Sequence, residues 1–277
     1  MTSIALTGAT GAVGGRVARL LAPAVDRLVV RDADRAPRID GDPDVRVATY
    51  ADGDAMRTAL EGVEVLLLVS GAEAQDRLEQ HRTAVRAAAE AGVRHVVYTS
   101  FDGAAPDADF TLGRDHFRTE EVIRASGMAF TFLRDSFYLD FFPLFAGEDG
   151  VISGPAGDGR VAAVARADVA DVAAAVLRSP EAHAGETYRL TGREAISFPE
   201  AAARMTAALG RPFSFVRQTL DEAYASRRVW TEEQWQLDAW VSTYTAIGSG
   251  DLAEPSDDVE RLTGHAPRTL EDALLTR

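Results

Sequence analysis

Apolar residues between Ile4 and Leu190 alternate between two rhythms. Short unbroken runs, Ile4–Leu6, Leu28–Arg31, Val45–Tyr50, Val65–Ser70, Val93–Ser100, Ala129–Arg134 and Tyr188–Leu190, suit buried strands. Between them lie stretches with helical spacing. Val13, Val17, Leu20 and Leu21 fall on one face, and further helices are predicted over 54–61, 73–91, 113–126 and 169–178. Gly62, Gly92 and Gly127 stand where a helix is closed by a glycine, and Asp168 stands where the 169–178 helix would be capped, with Asp171 three residues on. Strand and helix alternating over short links predicts an α/β fold, a doubly wound parallel sheet covered on both faces.

After Arg134 the alternation stops. Residues 136–145 carry five aromatics, Phe137, Tyr138, Phe141, Phe142 and Phe145, and residues 147–159 read as a Gly/Pro-rich loop. The remainder is predicted to be mainly helical. Ser197/Glu200, Thr219/Glu222 and Thr231/Gln234 have the spacing of capping boxes. Trp240, Tyr244 and Ile247 share one helical face. These patterns divide the chain into a nucleotide-binding domain over 1–150, completed by segments within 161–191, and a smaller, interleaved, substrate-capping lobe over 151–277.

The first strand runs into Gly8, Gly11 and Gly14 before the first helix. Glycines let the chain turn tightly and let its backbone approach a bulky group, and the free N–H groups of the helix start attract phosphate. This is how a dinucleotide's pyrophosphate is held. In such sheets ligands lie beyond the carboxyl ends of the strands. That rule selects Arg31, Thr49-Tyr50, Val69-Ser70-Gly71 and Thr99-Ser100-Phe101. An acidic residue at the end of the second strand suits NAD. Arg31 precedes Asp32 there, so NADP(H) is expected ahead of NAD(H).

Composition narrows the classes. The 277 residues carry a net charge of −14, which argues against a nucleic-acid partner. No apolar run has membrane-spanning length and there is no secretory leader, so a cytoplasmic protein without membrane association is expected. The chain has no cysteine, which rules out disulfides, thiol catalysis and cysteine-ligated metal. Its five histidines have no His-x-x-x-His spacing, so no metal site is expected. All 29 basic residues are arginine.

The series TGATGAVGG, VVRD, LLLVSGAE, EQHRTAVRAAAEAGVRHVVYTS, RDHFRTEEVIRASGMAFTFLRDSFY and the terminal SDDVERLTGHAPRTLEDAL resembles the NmrA-like atypical short-chain dehydrogenases. Within them it is most like the type 2 NAD(P)H:quinone oxidoreductases, over nearly the whole chain. The resemblance implies a Rossmann-type domain with bound NADP(H) and a small lobe at the substrate. By residue, Gly8, Thr10, Gly11, Ala12, Val13 and Gly14 match the family's pyrophosphate loop, and Arg31 its 2′-phosphate arginine. Ser70-Gly71 and Thr99-Ser100 match the edge near ribose and nicotinamide, and Phe137 and Tyr138 the aromatic pair beside the substrate. Thr49 replaces the family's usual Asp near adenine, leaving Tyr50, and Asp135 replaces its usual Asn.

Ordinary short-chain dehydrogenases use a Tyr-x-x-x-Lys pair, which this chain lacks. His116 takes the lysine place, and Leu112, four residues earlier, cannot transfer a proton. Quinone reduction demands less, because hydride addition to an electron-poor ring leaves a delocalised anion. The expected activity is therefore NADPH-dependent reduction of a quinone or similar conjugated carbonyl compound. His116 and Tyr138 are the candidate catalytic groups, with Phe101, Phe137 and Tyr138 at the substrate. His116 is either a proton donor and hydrogen-bonding group or a histidine that merely packs. The alternatives are an NADP-sensing regulator without turnover and a tailoring enzyme of aromatic natural-product synthesis. A monomer or homodimer is expected.

Overall fold

The computed structural model describes residues 2–275. Its strands are β1 (Ile4–Thr7), β2 (Arg27–Val30), β3 (Asp44–Val47), β4 (Val65–Leu68), β5 (His95–Phe101), β6 (Ala129–Asp135), β7 (Val151–Gly154), β8 (Arg160–Val161), β9 (Thr187–Leu190), β10 (Ile196–Ser197) and β11 (Ser214–Arg217). The early helices are α1 (Ala12–Leu21), α2 (Gly53–Leu60), α3 (Arg77–Glu90), α4 (Thr111–Ala125), α5 (Phe142–Phe145) and α6 (Arg166–Arg178). Later come α7 (Phe198–Leu209), α8 (Leu220–Arg227), α9 (Gln234–Ser249), α10 (Asp258–Thr263) and α11 (Leu270–Leu275).

Seven strands form one sheet in the order β3-β2-β1-β4-β5-β6-β9. The ladders from β3 to β5 are parallel, with Ala5 opposite Arg27 and Leu66, and Leu67 opposite Val97. Phe132 N–H meets Glu186 O and Ser136 N–H meets Leu190 O, so the register of β6 with β9 climbs in the same sense. The expected doubly wound α/β sheet is therefore present. β1 and β4 are wholly buried, which is why Ile4–Leu6 and Val65–Leu68 are unbroken apolar runs. β3 is exposed throughout, and its Asp44 and Arg46 place charges on the edge of the sheet.

On one side of the sheet Val29, Leu66, Leu68, Val96 and Tyr98 pack with Met56 and Leu60 of α2 and Ala84, Val85 and Ala88 of α3. Burial of such side chains is the main stabilising term, about 1.5–3 kcal/mol for each large one. Asp52 caps α2 by accepting the Ala55 N–H, and Gly62, Gly92 and Gly127 adopt positive φ after their helices.

The chain divides into two units. Among the described residues the first comprises 2–101, 115–134 and 169–188, and the second 102–114, 135–168 and 189–275. Residues 135–150, expected in the first domain, thus cluster with the second unit. Within that second unit β7 pairs in parallel with β11, and β8 with β10 antiparallel. Phe142, Phe145, Phe198, Phe215 and Tyr244 form its aromatic core. Gly154 makes that packing possible, because a Cβ there would lie 2.2 Å from the Tyr244 ring.

Three local expectations need correction. The 147–159 stretch is not simply a loop, because it holds β7, whose partner β11 is too short and too exposed to show a period. Asp168 does not cap α6. The helix begins at Arg166, and the buried Asp168 carboxylate accepts the Arg268 N–H at 2.8 Å and pairs with its guanidinium. Thr231 makes no capping box. Its hydroxyl accepts the Glu233 N–H, and α9 starts only at Gln234. The boxes at Ser197/Glu200 and Thr219/Glu222 are complete.

Candidate dinucleotide-binding site

The turn from β1 into α1 is built from backbone. Gly8 has φ +65°, and a Cβ there would meet Val69 at 2.8 Å. A Cβ on Gly14 would lie 2.4 Å from the Gly8 carbonyl oxygen, so α1 can begin this close to the loop only with glycine. The Gly11 N–H is spent on Gly8 O. Gly11 is the extended N-cap and provides no side-chain cap. The N–H groups of Ala12, Val13 and Gly14 are therefore left at a helix start without intrahelical acceptors, the arrangement that binds an anion.

Thr7, Gly8, Ala9, Thr10 and Gly11 line one wall of a groove of about 390 Å³. Arg31, Thr49 and Tyr50 line its far end, and Val69, Ser70 and Gly71 lie along the other wall. All belong to the first unit. Arg31 and Asp32 are both exposed, and the Asp32 carboxylate accepts the Asp34 N–H at 3.0 Å. Arg31 lines the groove and Asp32 does not, and a guanidinium suits a 2′-phosphate better than a ribose hydroxyl. Tyr50 is half-buried, and its hydroxyl reaches both Thr7 Oγ1 and Val69 O at 2.6 Å. Burial pushes its phenol well above the ordinary tyrosine range, so it stays a neutral donor.

The wall after β4 is tied by side chains. Val69 N–H donates to Thr7 Oγ1 at 2.9 Å, Ser70 N–H to Thr99 Oγ1 at 2.8 Å, and Gly71 N–H to His81 Nε2 at 2.9 Å. Arg77 Nε donates to Gly71 O at 2.9 Å. Three elements, β1, α3 and β5, thus hold three successive residues.

His116 is buried between Tyr98 and Arg77. Its Nδ1 lies 3.0 Å from the Tyr98 hydroxyl and its Nε2 3.0 Å from Arg77 Nη2. Arginine only donates, so Nε2 accepts and Nδ1 carries the ring proton. Burial first, and the Arg77 charge second, hold His116 well below the usual imidazole range. It is a neutral ring with both nitrogens engaged, and it packs at 6.1 Å from the Phe101 ring.

The other expected residues are dispersed. Thr99 is buried and reaches the Ser70 peptide. The Ser100 side chain is fully buried and donates to Glu120 at 2.6 Å, where Arg134 forms a two-pronged pair with the same carboxylate. Phe137 and Tyr138 lie in the second unit. Phe137 is half-buried and packs edge-on against Phe110 at 5.1 Å. Tyr138 donates its hydroxyl proton to Asp135 at 2.7 Å, and burial, then the Asp135 charge, raise its pKa well above the usual value. Thr7, Arg77, His81, Tyr98 and Thr119 are the participants that sequence reasoning missed. The available signal was a polar pair, Arg77 and His81, four residues apart on the helical face that also carries Ala84, Val85 and Ala88.

Residues 8–180 match the family model described as NAD(P)H-binding. The chain belongs to this NAD(P)H-binding, NmrA-like family. Quinone oxidoreductase 2 of Escherichia coli (strain K12) is 34% identical over 281 residues, covering 98% of this chain and 97% of that protein. The NAD(P)H azoreductase of Xenophilus azovorans is 32% identical over 96% of this chain and 94% of its own. The crystal structure of the E. coli NADPH-dependent quinone oxidoreductase complexed with NADPH superposes with a TM-score of 0.87 at 33% identity, covering 98% of each chain.

Proposed function

We propose that this protein is an NADPH-dependent oxidoreductase that reduces a quinone or a similar conjugated carbonyl compound. The observation that carries the reading is the groove, with a glycine-built anion cradle at one end of β1 and an exposed arginine at the end of β2. The similarity to a quinone reductase and an azoreductase over nearly the whole chain supports the acceptor class. The nicotinamide, when bound, supplies the hydride.

The chain's own residues then have binding and orienting roles. The N–H groups of Ala12, Val13 and Gly14 face the pyrophosphate, with Gly8, Thr10 and Gly11 shaping the cradle. Arg31 pairs with the 2′-phosphate, and Thr49 and Tyr50 border the adenine. Ser70 and Gly71 form the wall along the ribose and nicotinamide, Thr99 holds the Ser70 peptide from behind, and Ser100 is spent on Glu120 within the core. Phe101, Phe137 and Tyr138 are the proposed aromatic contacts of a flat acceptor. His116 is neutral and doubly bonded, which fits a hydrogen-bonding and orienting role rather than proton donation near neutral pH. Tyr138 likewise keeps its proton toward Asp135. A delocalised hydroquinone anion can take its proton from water, so the missing Tyr/Lys pair is compatible with turnover. Among the described residues no helix is long and apolar enough to cross a membrane, and a cytoplasmic setting is proposed with this activity.

Purified protein mixed with NADPH and a panel of quinones should oxidise the cofactor, with NADH a markedly poorer donor. No cofactor oxidation with any quinone, alongside tight NADPH binding, would favour a sensor instead.

A further inference from the structure

The Gly71 peptide is held on both sides by groups that do not line the groove. Its N–H donates to His81 Nε2 and its carbonyl accepts from Arg77 Nε, each at 2.9 Å. A Cβ at Gly71 would lie 3.2 Å from His81 Nε2 and 3.6 Å from the Tyr50 ring. The imidazole is therefore pressed directly on the peptide. His81 is fully buried and Arg77 is 3% exposed. A cation placed so deep is costly unless it is paired and hydrogen-bonded, and among the described residues the ion pair of Arg77 is a long one, with Asp115 at 3.8 Å. Its Nη1 has no hydrogen-bond partner.

The protons in this cluster are fixed in sequence. Because Gly71 N–H donates to Nε2 of His81, that nitrogen is bare and Nδ1 bears the hydrogen. Nδ1 donates to Thr119 Oγ1 at 3.0 Å, and the Thr119 hydroxyl donates onward to Asp115 O at 2.7 Å. Arg77 is aligned by His116, which is aligned by Tyr98.

We propose that His81 and Arg77 are positioning residues for cofactor binding. They clamp the Gly71 peptide so that residues 69–71 present a fixed wall to the dinucleotide, with Thr119 selecting the His81 tautomer that can accept. This inference rests on the groove being the NADP(H) site. It goes beyond that reading by assigning a function to a buried pair, His81 and Arg77, that does not line the groove.

The test compares full-length wild type with H81L, H81Q and T119V. Glutamine can accept the Gly71 N–H, leucine cannot, and valine copies the shape of Thr119 without its acceptor. Two quantities are read: the NADPH dissociation constant by calorimetric titration, and the hydrogen-exchange rate of the Gly71 amide. An unsatisfied buried donor should weaken NADPH binding about tenfold in H81L, with Gly71 exchange faster by a similar factor. H81Q should stay within about threefold of wild type on both, and T119V should move in the direction of H81L. A merely structural role would lower the melting temperature of all three without separating H81L from H81Q in affinity. If H81L does not fold, T119V decides. Wild-type affinity in a folded H81L or T119V overturns the clamp while leaving the groove assignment intact. Wild type that binds no NADPH overturns the groove assignment and the clamp with it.

Discussion

The two walls of the groove are made by opposite means. Residues 8–14 rely on the absence of side chains, with Gly8 at positive φ and Gly14 against the Gly8 carbonyl. Residues 69–71 rely on the side chains of Thr7, Thr99, His81 and Arg77, brought from β1, β5 and α3 to satisfy successive peptide groups. A wall made of glycine tolerates no added atom, whereas a wall made of tied peptides tolerates changes that keep a donor or acceptor in place. The first should therefore fail sharply and the second by degrees.

The largest effect is expected from Gly14→Ala. Its Cβ would sit 2.4 Å from backbone that cannot yield as a flexible side chain does. The substitution should cost about 1–3 kcal/mol of stability. It should also weaken NADPH binding by about 100-fold or more, about 3 kcal/mol. Denaturant melts and calorimetric titration check the two losses, and an alanine variant that binds normally would break the contrast between the walls.

Next comes Arg31→Ala. Loss of a charge-assisted contact to phosphate should cost about 1.5–3 kcal/mol of NADPH affinity and leave NADH unchanged. Equal losses for both cofactors would show that Arg31 shapes the groove rather than reading the 2′-phosphate. On the second wall, Thr99→Val removes the acceptor of the Ser70 N–H. It should lower stability by about 1–2 kcal/mol with only a few-fold change in NADPH affinity, since its neighbours still hold the segment.

The smallest change near neutrality comes from pH. Burial holds His81 at about 3 and His116 well below the ordinary 6.5, so both are neutral when folded and can protonate when unfolded. Between those limits the unfolded chain binds more protons, and stability falls as pH falls. Each ring should contribute a slope approaching about 1.4 kcal/mol per pH unit below 6.5 and none above it. Denaturant melts across that range check it. In H81Q the slope should be shallower by one ring's share.

This contrast also explains what could be read before the structure. The glycine wall was legible because its information is local: a strand, three spaced glycines and a helix period lie within one stretch. Most strand and helix positions were legible for the same reason, with ends shifting by a few residues. The tied wall was not. Arg77 and His81 look like ordinary polar positions of a helix, and only the fold brings them to a peptide at 71. Ser100 lies one residue before the end of β5, yet the alternation of side chains along that strand turns it to Glu120 while Thr99 faces Ser70. Asp168 has the sequence of a cap, but its partner Arg268 lies a hundred residues on. Phe142 and Phe145 are apolar fillers of the second unit, and nothing in an aromatic run separates them from Phe137 and Tyr138.

The central claim is that main-chain N–H groups at the start of α1 and Arg31 at the end of β2 hold NADP(H). The most direct measurement is calorimetric titration of the full-length protein with NADPH and with NADH. The account predicts one site per chain and NADPH bound at least about tenfold tighter, the difference expected of one charge-assisted phosphate contact. No heat and no thermal shift with either dinucleotide would contradict it.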